Sequence, residues 1–307
     1  MSEALIIGGN GFIGSHLVDA LSARGHQVSV FDAFRVPPQY RAAGVRRVQG
    51  DFMDIEQLDA ALSGIDDVFH FLSTTTPATA DGDPATDIKT NIIQTVRLLE
   101  RCVARGIRHV YFSSTGGAIY GPSTQERLTE SAPTRPISPY GIAKLAIENY
   151  LGYFRVRHGL ESTALRISNP YGTRQNPRHK QGLIPIVLRA LTHGEQVTRI
   201  GDGSMVRDYI LVDDAVQLIA RMVDRPAQGS TYNIGSGRGY SVNEVFDSIR
   251  HVTGIDFTPV EVPVPATFVD HVVLDTRRYL DDFGPVRLTP LREGIERTWV
   301  ELQRCDG

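Results

Sequence analysis

The chain has 307 residues, of which 41% are apolar and 22% charged, and its formal net charge is −3. That length can bury a substantial core without disulfides, and the near-neutral balance excludes the basic face that nucleic acid or an anionic membrane requires. Cys102 and Cys305 lie far apart and the nine histidines are scattered, so no metal is expected. No stretch reaches the roughly 20 apolar residues of a membrane span, and Met1-Ser2-Glu3 lacks a signal peptide's basic flank, so a soluble cytoplasmic protein with reduced thiols is expected.

Residues 4–8 read as a buried strand that runs straight into Gly8-Gly9-Asn10-Gly11-Phe12-Ile13-Gly14. This G-x-x-G-x-x-G turn lets the backbone N–H groups of Gly8, Gly11, Phe12, Ile13 and Gly14 approach a pyrophosphate at the positive end of the next helix, residues 12–24. The second strand, 27–32, ends at Asp32, about 18 residues after Gly14, the spacing of a carboxylate that accepts an adenosine 2′-hydroxyl. Such a carboxylate repels a 2′-phosphate, so NAD is expected over NADP, with Arg35 keeping NADP as a minor option. Strands at 46–49, 67–71, 108–113 and 162–167 alternate with helices at 55–62, 87–104 and 140–157. Asp51 and Phe52 follow the third strand, Phe71 and Leu72 lie at the end of the fourth, and all four are assigned to the cofactor. The pattern is α/β, a Rossmann-type doubly wound parallel sheet, with a smaller C-terminal α/β substrate domain. Residues 1–170 are taken as the NAD-binding domain and 171–307 as the substrate domain, part of which returns to the first; Pro, Gly and Arg concentrate in 170–185.

Tyr140 and Lys144 stand four residues apart, one helical turn, and can share a face. A tyrosine with a pKa near 10 makes a poor base at neutral pH, and lowering it by about 3 units takes roughly 4 kcal/mol. An adjacent ammonium and a positive nicotinamide both act in that direction. Alone, Y-x-x-x-K is common as a packed Tyr beside a solvated Lys. Here an apolar strand ends in Ser113, Ser114 and Thr115, and hydroxyls at the carboxyl end of a parallel strand can hold an oxygen whose charge changes during reaction.

Taken in order, Gly8 to Gly14, Asp32, Asn91, Ser113 to Thr115, Tyr140 to Lys144 and Arg207-Asp208-Tyr209 make the chain resemble the extended short-chain dehydrogenase/reductase family. The nearest resemblance is to UDP-galactose 4-epimerase-like nucleotide-sugar epimerases, from Leu5 to about Trp299. The resemblance implies that Tyr140 is the base on the sugar hydroxyl, that Lys144 binds the nicotinamide ribose and that Thr115 shares the proton or holds the sugar oxygen. It places Asn91 and Ser113 beside the cofactor, and gives Ser114, Thr115, Asn169, Leu183 and Arg207 to the nucleotide-sugar. Arg207 suits a diphosphate because its planar fork donates two parallel hydrogen bonds. A homodimer through the helices beginning at Asp87 and Tyr140 is implied in the same way.

The chain departs from that family at two places. Residues 262–270 contain no Arg where many such epimerases carry a second phosphate clamp, and Ile200 stands where an aromatic often stacks on uracil, leaving UDP and dTDP both open. Family dehydratases place an acidic residue just after the strand's Thr or Ser; here Gly116 and Gly117 offer no acid–base group. The expectation is an NAD-dependent nucleotide-sugar 4-epimerase, a UDP-hexose first, working by transient oxidation at C4. The alternative is a reductase of nucleotide-linked 4-keto-deoxysugars that uses NAD(P)H.

Overall fold

The computed structural model describes residues 1–75, 77–175, 182–225 and 229–306; of the 170–185 stretch, residues 176–181 lie outside the described residues. β1 (Glu3–Ile7), α1 (Phe12–Ala23) and β2 (Gln27–Asp32) flank the glycine turn, followed by β3 (Arg46–Gln49), α2 (Ile55–Ala61) and β4 (Asp67–His70). Two short helices, α3 (Pro77–Ala80) and α4 (Pro84–Asp87), lead through a π-helical stretch, Ile88–Ile93, into α5 (Gln94–Arg105). β5 (His109–Thr115), α6 (Pro139–His158) and β6 (Glu161–Ile167) complete the first half. Beyond them come β7 (Asn169–Tyr171), α7 (Leu183–His193), β8 (Thr198–Ile200), β9 (Val206–Leu211), α8 (Val212–Asp224) and β10 (Thr231–Ile234). β11 (Gly239–Ser241), α9 (Val242–Thr253), β12 (Val260–Val262), β13 (His271–Val272), α10 (Arg277–Phe283) and α11 (Leu291–Asp306) end the chain.

The central sheet has seven strands in the order β10-β6-β5-β4-β1-β2-β3, every pair parallel. Apart from the largely exposed edge strand β3, its strands are mostly apolar and buried because helices cover both faces. In β1, Ala4 and Ile6 pack into the core that includes α1 and α8. Leu5 and Ile7 pack into the core that includes α2, α5 and α6. Strand order reverses between β1 and β4, and the crevice at such a switch point is where doubly wound sheets bind ligands. The glycine turn opens there. β10 returns to this sheet from the second half, while β11, β9, β13 and β7 form a smaller sheet and β12 pairs with β8. A third core gathers Tyr171, Tyr209 and Leu211 with α7, α9 and α11.

The structure revises two expected boundaries. The helix read as continuous over 87–104 begins with π geometry, and α5 proper starts at Gln94; a single extra residue in a turn leaves the apolar spacing almost unchanged, so sequence does not reveal it. β5 runs two residues beyond its expected end because β6 continues to pair with it as far as Thr115 opposite Ile167.

Candidate functional site

The glycine turn is shaped by two close approaches. Gly8 has φ +83°, and a Cβ there would lie 2.8 Å from the Leu72 backbone; a Cβ on Gly14 would lie 2.2 Å from the Gly8 carbonyl oxygen. Those contacts pack α1 against the end of β1 and leave the start of the helix open. Phe71 N donates to Ile7 O at 2.9 Å, which brings the turn after β4 alongside the glycines. Asp32 accepts from Asn10 N at 3.0 Å and from Phe34 N at 3.2 Å, so its carboxylate is tied to the glycine turn. Arg35 is exposed. Phe52 is buried against the His70 ring, whereas Asp51 is exposed and caps Met53 N at 2.9 Å. A turn with room only for glycine, facing a fixed carboxylate at the switch point, fits a dinucleotide.

Asn91 owes its placement to the π turn. Its amide donates to Asp87 Oδ1 at 2.7 Å and Thr75 Oγ1 at 2.9 Å, and its Oδ1 accepts from Thr74 N at 3.0 Å. It thus ties the loop after β4 to Asp87, which is 1% exposed.

Lys144 reaches over the Phe112 ring, 4.7 Å from its centroid, and donates to the Ser113 carbonyl at 2.8 Å. The same ammonium lies 5.5 Å from the centroid of the Tyr140 ring. Burial pushes the Lys144 ammonium down to about 8, against the opposing fields of Asp87 and Glu148. Burial, and then Asp87, push the Tyr140 phenol up to about 12. Within the polypeptide alone, burial and the Asp87 carboxylate therefore both favour the neutral phenol. Thr115 is buried at the end of β5; a Cβ on Gly117 would stand 4.0 Å from Thr115 Oγ1 and 3.7 Å from Asn169 Oδ1. Hydroxyl and amide therefore converge on the space that Gly117 leaves open. Asn169 Nδ2 is held by the Asp208 carbonyl at 3.0 Å.

Ser114 departs from its expected placement. Side chains alternate along a strand, so Ser114 points away from Ser113 and Thr115 and donates to Glu148 Oε1 at 2.5 Å. Its hydroxyl is not presented beside that of Thr115.

Arg207 lies on β9 with its guanidinium donating to the carbonyls of Val206, at 2.8 Å, and Asp270, at 3.3 Å. It makes no ion pair among the described residues, and burial pushes its pKa down. Asp208 faces the other way, is fully buried, and accepts from Ser236 N, Ser236 Oγ, Gly237 N and Leu274 N; burial pushes its carboxyl up to about 6. The two are not a surface pair. Leu183 opens α7 after Gly182, whose φ is +89°.

Sequence reasoning passed over Asp87 as a site residue, and also Glu148 and Arg166. Two signals were available: Glu148 stands one turn beyond Lys144, and Arg166 is a charge inside an apolar strand, a place where arginine is rarely buried unless paired. A cavity of about 350 Å³, lined in part by Glu126, Arg127, Arg238 and His271, includes none of the candidate residues. Among the described residues no group of His, Cys, Asp and Glu is placed to hold a metal ion, and no helix is long and apolar enough to cross a membrane.

Fold and constellation together define a dinucleotide-dependent α/β enzyme with a Tyr–Lys pair at the switch-point crevice. The chain belongs to the NAD dependent epimerase/dehydratase family, whose pattern matches residues 4–235. It is 32% identical to a UDP-glucose 4-epimerase of Mycolicibacterium smegmatis, over 98% of this chain and 98% of that one. It superposes on the UDP-glucose 4-epimerase of Thermotoga maritima, solved with UDP-glucose, at a TM-score of 0.93 and 35% identity, covering 99% and 100% of the two chains. A dTDP-glucose 4,6-dehydratase of Streptomyces venezuelae, solved with NAD, superposes at a TM-score of 0.90 and 28% identity, covering 99% and 98%.

Proposed function

We infer that the protein is an NAD-dependent nucleotide-sugar 4-epimerase, with a UDP-linked hexose as its first substrate. The observation that carries this reading is that Thr115 and Asn169 face the space bordered by Gly117 while Lys144, beside the Tyr140 ring, is held on the Ser113 carbonyl of the same strand end, with no carboxylate at positions 116 and 117. In this reading Gly8, Gly11, Phe12, Ile13 and Gly14 hold the pyrophosphate of NAD and Asp32 the adenosine ribose. Asp51, Phe52, Phe71, Leu72 and Asn91 line the remainder of the cofactor site. Asn169, Leu183 and Arg207 take the nucleotide diphosphate. The N-terminus of α7 adds a partial positive charge, which partly answers for the absent second arginine.

NAD, when bound, would supply a hydride acceptor for C4 and the positive charge of its nicotinamide. Tyr140 would take the proton of the sugar O4 as C4 is oxidised and return it as C4 is reduced on the opposite face. Thr115 donates to the same oxygen, and Lys144 holds the nicotinamide ribose while its charge favours the phenolate. Proton and hydride both return, so nothing is consumed. Gly116 and Gly117 supply no acid to expel a C6 hydroxyl, which sets this chain apart from a dehydratase.

A homodimer through α6 and its neighbours is supported by the exposure of Ile142, Tyr150, Tyr153 and Val156 on α6 and of Ile88 and Ile93 beside it. A cytoplasmic location suits the free, buried Cys102. The test is to incubate the purified protein with UDP-glucose, UDP-N-acetylglucosamine or dTDP-glucose without added cofactor. The C4 epimer of at least one is expected, approached from either side, with NAD released on denaturation. Oxidation of added NAD(P)H by a 4-keto sugar, with all three substrates untouched, would replace this reading with the reductase.

A further inference from the structure

Ser114 and Arg166 stand directly opposite one another in the β5–β6 pairing, and both meet Glu148 of α6. Ser114 Oγ donates to Glu148 Oε1 at 2.5 Å, Arg166 Nε donates to the same oxygen at 3.1 Å, and Arg166 Nη2 donates to Oε2 at 2.7 Å. The ion-paired side chains are only 7% and 8% exposed. Arg166 Nη1 donates to the Tyr120 hydroxyl and the Glu130 carbonyl, each at 3.1 Å, and the Tyr120 hydroxyl donates to Asn233 Oδ1 at 2.6 Å. The network is thus satisfied on every side.

A desolvated ion pair is a poor source of net stability, since apolar residues of similar volume often do as well or better. What this one does is hold three elements in one register. Flanking Ser114 on β5 are the Ser113 carbonyl that receives Lys144 and the Thr115 hydroxyl; Glu148 lies one turn beyond Lys144 on α6. We propose that Ser114, Glu148 and Arg166 form a positioning unit that fixes the end of β5 against α6, and so sets how Thr115, Tyr140 and Lys144 meet the sugar hydroxyl. The proposal rests on the epimerase reading. None of the three touches the substrate; they act through the groups beside them. Small misplacements of such groups are costly, a shift of 1 Å reaching about a hundredfold in rate.

The test compares wild type, Ser114→Ala, Glu148→Gln and Glu148→Asp in the NAD-loaded protein, by kcat, KM and the midpoint of the Lys144 ammonium followed by NMR. The charged or titratable groups facing Lys144 are Asp87 from α4, Glu148 and Tyr140 from α6, and His70 from β4, which burial keeps neutral. Ser114→Ala is expected to lower kcat about tenfold with KM and NAD content unchanged. Glu148→Gln should lower kcat at least as much and move the Lys144 midpoint to lower pH, because one of its two carboxylates is gone. Glu148→Asp keeps the charge on a shorter arm and should restore the midpoint but not kcat. If Glu148→Gln fails to fold, Ser114→Ala, which leaves the ion pair in place, decides the matter. Equal kcat in Ser114→Ala and wild type, or a loss confined to KM or NAD content, overturns the proposal. If the wild type epimerises nothing, it is the epimerase reading that fails; an unmoved Lys144 midpoint in a folded Glu148→Gln protein then overturns the positioning unit on its own.

Discussion

In the epimerase reading Tyr140 is the base, and burial with the Asp87 carboxylate favours its neutral phenol within the polypeptide. A phenol at about 12 costs on the order of 7 kcal/mol to ionise at pH 7. In the same reading the positive nicotinamide would lower that cost and so couple the base to the oxidant. Tyr140→Phe should therefore keep NAD while losing about 10²- to 10⁴-fold in kcat; a loss smaller than tenfold, measured with saturating sugar, removes Tyr140 as the base. Asp87→Asn removes the carboxylate that raises both Tyr140 and Lys144. Both midpoints then fall, so the acid and alkaline limbs of the kcat profile should both move to lower pH. An unmoved acid limb denies Asp87 its field at Tyr140. Arg207, whose guanidinium donates to the backbone carbonyls of Val206 and Asp270, should act on substrate alone: Arg207→Ala is expected to raise KM by about 2–4 kcal/mol in binding terms and leave NAD titration unchanged. These roles were legible to different degrees. Spacing alone put Tyr140 and Lys144 on one helix face, whereas the contribution of Asp87 depends on two short helices folding back onto α6, which no local pattern announces.

At the scale of elements, most of the parallel strands were legible because they are short apolar runs bounded by turn residues and buried on both faces, β3 (Arg46–Gln49) being a polar, largely exposed exception. β2 and β3 begin and end where the sequence places them. The π turn at Ile88–Ile93 was not, since it shifts Asn91 inward without disturbing the apolar spacing of the helix it opens. Ser114 was misjudged for another reason: its hydroxyl was grouped with those of Ser113 and Thr115, although strand alternation turns it to the opposite face. The glycine turn makes the firmest element-scale prediction. A methyl group at Gly14 would collide with the Gly8 carbonyl at 2.2 Å, and the backbone must shift to accept it. Gly14→Ala should fold, as judged by its circular dichroism, yet lose bound NAD on purification; full NAD content in that variant contradicts the placement of the pyrophosphate.

Over the whole molecule, one sheet supports both halves of the site. β1 and β4 open the cofactor crevice, β5 and α6 carry the reacting groups, and the chain returns through β10 after building the small sheet that holds Arg207. β10 is thus a part of the 171–307 segment that lies in the sheet of the first half. In the epimerase reading a sugar would sit between the nicotinamide and the Arg207 end of the site, and hydride would leave C4 and come back to C4 without reaching solvent. The direct measurement uses UDP-galactose carrying deuterium at C4, incubated with the protein as purified, in ordinary water and with no added cofactor. UDP-glucose that retains the deuterium at C4, with none appearing in water or in free reduced cofactor, is the predicted result. Loss of the label to solvent, or its accumulation in released cofactor without any epimer, contradicts the account.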